Sequence, residues 1–503
     1  MLSSRRALGR HAPSLSSVRP ATIRSQFTFD RKRDFSIAEL DAEQKGRERV
    51  VVLGSGWGGY TFSRELSPKT HQIVIVSPRP YFVFTPLLAG TSVGTLEFRT
   101  ALEPVRSFRG RGVGAEYFQG WADDVDFNKK VLTVEEAVED PSQGRVLSDK
   151  GEESKSEKQV QQKKRETFDL PYDKLVVAVG CYTQTFNTKG VKEYAYFLKD
   201  VAHARRIRNR LLSCFEIAAL PTTSVELRDQ ILNFVVVGGG PTGIEWSAEL
   251  HDLIHEDMSR LYPELVKHVK ITVYDVAPKV LGMFDEKLSK YAMKTFQRNG
   301  ISIKTNHHVE ELRPGTVANP DSTDAFTCYT LKLKEEGEVG VGMCVWSTGL
   351  MMNPFVESAL KDRIKQDERS HAVLTNANLQ IKGPDDTPIP DVYAIGDCAV
   401  LEGTAYPATA QVASQKAGWL AKRFNKGDFE RQKGFQYKDL GVMAYIGNRN
   451  AILQTGGGKI SGFLAWCIWR GVYLTKSMSW RNRILIPIYW SINFVFGRDI
   501  SRF

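Results

Sequence analysis

Two short apolar runs, far apart in the chain, set its frame. Arg49-Val-Val-Val-Leu53 and Asn233-Phe-Val-Val-Val237 are continuous rather than alternating, the pattern of strands covered on both faces inside a parallel sheet. Each is followed at once by glycines: Gly54-Ser-Gly56-Trp-Gly-Gly59 and Gly238-Gly-Gly240-Pro-Thr-Gly243. Helical sequence then begins, at Tyr60–Leu66 in the first case and from Ile244 in the second. A second apolar strand closes each unit, Gln72–Val76 and Lys270–Asp275. The pattern therefore predicts two strand–glycine loop–helix–strand units in one polypeptide. Three further runs read as strands returning to these sheets: Leu175–Gly180, Val345–Gly349 and Asp391–Asp397. Near the C-terminus two apolar pieces, Phe463–Leu474 and Ile484–Phe496, flank the cationic stretch Lys476–Arg483.

GxGxxG between a strand and a helix has a physical purpose. Its glycines let the turn tighten and bring the free N–H groups of the helix N-terminus against a pyrophosphate. One such motif is weak evidence, whereas two in one chain imply two dinucleotides, one of them a flavin. The second strand of the later unit ends in Asp275, a carboxylate able to accept from both ribose hydroxyls and to repel a 2′-phosphate, which selects NADH over NADPH. The earlier unit ends instead in Ser77-Pro-Arg79. Asp397, closing a strand, can accept from a ribityl chain while a helix from about Pro407 directs its N-terminus at the isoalloxazine.

Composition changes this picture little. With 503 residues, 42 % hydrophobic and 25 % charged, the chain is globular and long enough for two or three domains. Among the six cysteines the nearest pair is Cys328 and Cys344, which leaves out CxxC zinc, iron–sulfur and dithiol motifs. Charge is more informative. Residues 1–33 carry net +7 and residues 459–503 net +6, leaving −3 for the rest of a chain at +10 overall, so the body offers no basic groove for nucleic acid. The first 29 residues hold five arginines, six serines and no acid, the make-up of a mitochondrial presequence cleaved before Arg47. The two apolar C-terminal pieces are each shorter than the roughly 20 residues a spanning helix needs. With Trp466, Trp469, Trp480 and Trp490 set beside Lys and Arg, they read as a monotopic anchor in the headgroup boundary. A C-terminal subdomain packed on the body or on a dimer partner is the other reading of the same pattern.

These motifs, in this order, resemble the glutathione-reductase type of flavoprotein. With Ser77–Leu88, Gly238–Glu245, Ala394–Asp397, Ala408–Gln415 and Leu440–Gly447, the chain is similar to the type II (alternative, rotenone-insensitive) mitochondrial NADH:ubiquinone oxidoreductases, fungal members in particular. The expected fold is α/β, with two Rossmann-like domains and a C-terminal membrane-associating segment. The expected boundaries are 1–46 presequence and linker, 47–220 and 346–430 FAD domain, 221–345 NADH domain and 431–503 C-terminal anchoring or dimerisation region; a charged insertion occupies 134–168. The resemblance implies FAD held noncovalently by Gly54, Gly56, Gly59, Ser77, Pro86, Gly180, Asp397 and Ala410, and NADH held by Gly238, Gly240, Gly243, Glu245, Asp275 and Gly349. It places Thr85 near the flavin ring and Gln411 and Gln415 at the quinone site, with no metal. It further implies hydride transfer to FAD, two-electron reduction of ubiquinone without proton pumping, and a homodimer at the inner membrane. Two alternatives stay open: a sulfide:quinone oxidoreductase using Cys181 and Cys344, and a redox-sensing flavoprotein without turnover.

Overall fold

The two apolar runs are the central strands of two separate sheets. The computed structural model describes residues 36–106, 115–137 and 166–502, apart from 323 and 325. The expected presequence to residue 35, and the centre of the charged insertion at 138–165, lie outside the described residues. The helix Ile37–Gln44, N-capped by the Ser36 hydroxyl, belongs to a unit of its own that ends at Lys45.

Glu48–Leu53 lies between His71–Ser77 and Lys174–Val177, parallel to both, in a ten-stranded sheet. Val50, Val51 and Val52 have no exposed surface; each fully buried valine contributes about 1.5–3 kcal/mol. Two antiparallel strands, Val131–Glu136 and Thr167–Pro171, extend one side. On the other side Pro388–Ala394 adds itself parallel to Lys174–Val177, so the chain comes back to this sheet after leaving it for about 200 residues. In the interval it builds a five-stranded sheet with Asn233–Val237 between Lys270–Asp275 and Met343–Trp346, again parallel to both.

Two features differ from the sequence reading. The edge strand Tyr196–Phe197 pairs with Val345–Trp346, and the helix Val201–Ala219 buries Ile207, Leu211 and Phe215 in one core with Phe234 and Val236. Both elements fall before the expected boundary at 220/221, yet they serve the second sheet. The two cradle helices also begin earlier, at Trp57 and Pro241. The glycine-rich turns themselves form the first helical turn.

The C-terminal region is an antiparallel three-stranded sheet of Val442–Tyr445, Ala451–Thr455 and Gly458–Gly462, then the helices Phe463–Lys476 and Trp480–Phe496. Each helix has two faces. Ala465 and Trp469 enter the core of the second sheet, and Ile486 enters that of the first. Phe463, Leu464, Ile484, Ile488, Ile492, Phe494, Val495 and Phe496 remain exposed, with Ile484, Ile488 and Ile492 at four-residue spacing along one stripe. At 14 and 17 residues, and with Pro487 inside the second, neither is long and apolar enough to cross a membrane; no helix among the described residues is. The region is therefore part of the core as well as a surface. Replacing Ile486 by Ala should lower stability by about 2–5 kcal/mol, seen as a lower thermal midpoint, while Ile484→Ala on the exposed stripe leaves the midpoint within a degree or so. Equal midpoints for the two variants would mean that the segment is only appended.

Candidate active site

The two cradles are built alike, glycine for glycine. Gly54 has φ +108° and Gly238 φ +112°, values that a side chain seldom tolerates. A Cβ on Gly54 would lie 2.4 Å from the Ala178 carbonyl oxygen, and one on Gly238 2.3 Å from that of Ser347. In each case the first glycine lets the central strand cross directly under the return strand. The third glycine seats the helix: a Cβ on Gly59 would fall 2.0 Å from Gly54 O, and one on Gly243 2.1 Å from Gly238 O. The middle glycines differ from both. Gly56 and Gly240 have nothing within 4 Å of a Cβ position, and each is the N-cap residue of its helix without a side-chain cap. Free N–H groups thus face open space at both helix N-termini, which suits a pyrophosphate.

The rims of the cradles differ. At the second, Asp275 accepts from Gly239 N (2.5 Å) and Ala277 N (2.7 Å), which fixes its carboxylate beside the glycine turn. At the first, the matching position is Ser77, whose hydroxyl meets that of Ser55 at 2.9 Å. Arg79, two residues on, is paired with Asp200 at 2.8 Å. Thr85 begins a single turn, Thr85–Leu87, and its hydroxyl accepts from Trp57 Nε1 (3.0 Å), so the Thr85–Pro86 turn is tied to the start of the first cradle helix. Gly180 and Gly396 both take positive φ at the ends of neighbouring parallel strands. Asp397 follows Gly396; burial raises its pKa, and Lys199 and Lys416 oppose that rise. Lys416 is itself almost wholly buried, with its ammonium on Ala399 O (3.0 Å) and its pKa brought down by burial to about 8. The helix that follows starts at Ala410, three residues later than expected, because the Thr409 hydroxyl caps Val412 N. Gly349 follows the return strand of the second sheet.

Three expected residues have different surroundings from those anticipated. Gln411 donates to Gly441 O (3.2 Å) and accepts from Leu440 N (2.9 Å) and the Tyr437 hydroxyl. Gln415 makes a two-way pair with the Lys438 backbone, at 2.8 and 3.0 Å. The glutamines therefore clamp the segment 437–441 that leads into the C-terminal sheet. Glu245, expected with the nucleotide, turns away from the glycine loop: its Oε1 accepts from Tyr445 N (3.0 Å) and Trp469 Nε1 (3.1 Å). Burial raises its pKa to about 7.

Glu245 lines a cavity of about 460 Å³ that runs from Pro86, Leu87 and Gly90 to Trp466, Trp490 and Phe494 of the C-terminal helices. Glu249 and Asp252 line it too, and the sequence reading missed both. Their signal was present in the spacing: Glu245, Glu249, Asp252 and Glu256 recur at i, i+4, i+7 and i+11, one face of a helix. An acidic stripe is ordinarily a solvated face, and only the C-terminal cap, remote in sequence, turns it into a wall. Cys181 and Cys344 sit in different sheets, and the cysteine that faces Cys181 is Cys398. Cys181 sits on the short strand Cys181–Thr183, with its thiol on Asp397 O (3.0 Å), whereas Cys344 is in the interior of the second sheet opposite Val235. Burial pushes both thiols up to about 12, which disfavours the thiolates that sulfur chemistry requires.

Comparison with known proteins agrees with this geometry. Residues 48–417 match the family "Pyridine nucleotide-disulphide oxidoreductase", and residues 440–499 match "NDH2 C-terminal domain". A "Probable NADH dehydrogenase" of Dictyostelium discoideum is 38 % identical over 91 % of this chain and 91 % of its own length. "Internal alternative NAD(P)H-ubiquinone oxidoreductase A1, mitochondrial" of Solanum tuberosum is 34 % identical over 95 % of this chain and 92 % of its own. Among solved structures, NDH2 from Plasmodium falciparum in complex with NADH superposes with a TM-score of 0.76 at 24 % identity, covering 90 % of this chain and all of that one. The sulfide:quinone oxidoreductase of Aquifex aeolicus shares the fold at a TM-score of 0.61 and 17 % identity. The chain belongs to the pyridine nucleotide-disulphide oxidoreductase family and, within it, to the type II NADH dehydrogenases.

Proposed function

We propose that this chain oxidises NADH and reduces ubiquinone at the mitochondrial inner membrane, using noncovalently bound FAD and pumping no protons. The observation that carries this reading is the repeated cradle, one copy ending in Asp275 and the other in Ser77, joined to a C-terminal cap that encloses an aromatic-lined cavity. Bound FAD would supply the redox chemistry, as acceptor for the hydride of the dihydronicotinamide and donor of two electrons to the quinone. The protein holds and orients. Gly54, Gly56 and Gly59 admit the FAD pyrophosphate; Ser77, Pro86, Gly180, Asp397 and Ala410 border the remainder. Gly238, Gly240, Gly243 and Gly349 border NADH, and Asp275 accepts from its ribose. The 460 Å³ cavity receives the quinone head at its Pro86 end. Thr85 fixes that turn through Trp57, and Gln411 and Gln415 act indirectly by holding the 437–441 segment.

The exposed apolar stripe, with Lys476, Arg481 and Arg483 near its start, rests in the boundary of an anionic bilayer. It keeps the outer mouth of the cavity in the phase where an isoprenoid quinone dissolves. The same region carries the homodimer contact that the family resemblance implies.

The direct test is anaerobic addition of NADH to purified protein, followed by a short-chain ubiquinone. The flavin absorbance should bleach and then recover; bleaching without recovery would leave only a redox sensor. Asp275→Gln removes the charge that opposes a 2′-phosphate, so the NADH-over-NADPH ratio of kcat/KM should fall about tenfold or more, and an unchanged ratio would remove Asp275 from the ribose. Changing Ile484, Ile488 and Ile492 together to Ser should abolish co-flotation with anionic liposomes while NADH still bleaches the flavin. Flotation at the original level would place the membrane contact elsewhere.

A further inference from the structure

Forming a quinol takes two electrons and two protons, and a hydride brings both electrons but a single proton. The balance is NADH + H⁺ + quinone → NAD⁺ + quinol, so one proton per turnover must come from water. The cavity is closed on its inner side by the helix Pro241–Leu253. Behind it lies a second cavity of about 370 Å³, lined by His251, His255, Arg298, Asn299 and Asn448 together with Asp252 and Glu256. His255, Arg298 and Asn448 are exposed there. Asp252 and Glu256 line both cavities, so the carboxylate stripe connects solvent with the quinone chamber.

Within the stripe Glu249 is distinctive. It is 6 % exposed, and its hydrogen-bond partner among the described residues is a neutral hydroxyl, Thr95 Oγ1 at 2.6 Å. The cations that face it are shared with other partners. Arg498 is also bound by Asp257 (2.5 Å) and Glu256 (2.8 Å) and donates to Thr95 Oγ1 (3.2 Å), and Arg470 lies 4.3 Å from the ring centres of both Trp466 and Trp490. From its own helix Glu249 faces Glu245 and Asp252, and from the C-terminal sheet Tyr445, whose hydroxyl donates to Asp252 Oδ2. Asp252 also accepts from Asn448 N (2.9 Å) and contacts His251 Nδ1 (3.3 Å), and the His251 and His255 rings are 4.1 Å apart. A Cβ on Gly90 would approach Glu249 Oε1 to 3.4 Å, so this glycine leaves the carboxyl room on the chamber side.

Resting on the reading above, we propose that Glu249 is the proton station of this enzyme. It receives a proton from water through Asp252 and the His251–His255 pair, and passes it into the chamber as quinone is reduced. The O–H bond of its carboxyl breaks as one forms on the quinone oxygen or on an intervening water, and the carboxylate is then reprotonated from the Asp252 side. The site suits this cycle, because burial first, with Asp252 adding to it, raises the Glu249 pKa to about 7, against the pull of Thr95, Arg498 and Arg470. A carboxyl with a raised pKa is protonated below that value and loses its proton above it, so supply weakens as pH climbs past about 7.

The test follows reoxidation of NADH-reduced enzyme by a short-chain ubiquinone, by stopped flow across pH 5.5–9, in the wild type, Glu249→Gln, Glu249→Asp and Thr95→Val. Infrared spectra of the resting enzymes across the same range supply a readout independent of turnover. In the wild type, reoxidation should decline above about pH 7 with a solvent deuterium effect, and a buried carboxylic-acid C=O band should fade in parallel. Glu249→Gln should lose the component of that band that persists in a Glu245→Gln enzyme, since burial raises the Glu245 pKa to about 7 as well, and should reoxidise about tenfold or more slowly with no break near pH 7. Glu249→Asp should recover part of the rate, and Thr95→Val should shift the break. A Glu249→Gln enzyme that keeps the wild-type pH profile, or that component of the band, overturns the proposal while leaving quinone reduction established. A wild type that NADH reduces but quinone never reoxidises overturns it together with the function on which it rests.

Discussion

The constraint on which this molecule depends is the space left by a missing Cβ. At Gly54 and again at Gly238 the central strand leaves its sheet within 2.4 Å, measured from where a Cβ would stand, of a carbonyl oxygen of the return strand. Any side chain there would force strand and return apart and lift the helix N-terminus away from the space it bounds. Backbone hydrogen bonds fix the same geometry from the other side: Gly54 N to Val76 O and Gly238 N to Tyr274 O, both 2.8 Å. The cradle is therefore a property of the sheet and not of a flexible loop. Two sheets with the same register yield two cradles of one shape.

The second cradle helix has two parts. Its N-terminus carries the glycine turn through Gly240 and Gly243. One turn further on, its side chains belong to the chamber. That change of allegiance is produced by the C-terminal cap, whose Tyr445 and Trp469 take the Glu245 carboxylate. The exposed apolar surface and part of the wall around the acidic stripe thus belong to the same two helices, seen from opposite faces. Trp469 ties the first of those helices to Glu245 through its indole N–H.

What was legible in the sequence follows from this division. Continuous valine runs, glycine turns and the terminal Asp275 act over a few residues, and local pattern records them; the fold class and both cradles could be read in that way. Glu245, Gln411 and Gln415 were noticed, but their surroundings were not foreseen, because each is defined by a partner between about 20 and 220 residues away. Glu249 and Asp252 were missed for a related reason. Acids at helical spacing look the same whether water or a tryptophan covers them. The C-terminal pieces were read as an anchor from their apolar content, which captures the exposed face of each helix. Trp469 and Ile486, one residue on each inner face, make the region part of the core, and single-residue hydropathy does not separate the two faces. The early start of the helix Val201–Ala219 in the second domain was equally invisible, since either sheet could have taken its apolar face.

The position of the acidic stripe along its helix also bears on its chemistry. Carboxylates are stabilised by a helix within its first turn, where unpaired N–H groups and the dipole favour negative charge. With Pro241 opening the helix, Glu245 is the fifth helical residue, beyond that turn, and Glu249 and Asp252 lie further on, where the field has faded. Burial there costs the charged form several kcal/mol unless a cation offsets it, and Arg498 and Arg470, which do pull on Glu249, are shared with Asp257, Glu256 and the indole rings. Glu245 and Glu249 are consequently acids whose neutral forms burial favours. The first cradle helix, Trp57–Glu65, buries Tyr60, Phe62 and Ser63 and places its one acid, Glu65, at its end. Equal cradles thus lead to unequal helices, and the one that carries exchangeable protons is the one against which the C-terminal cap has closed.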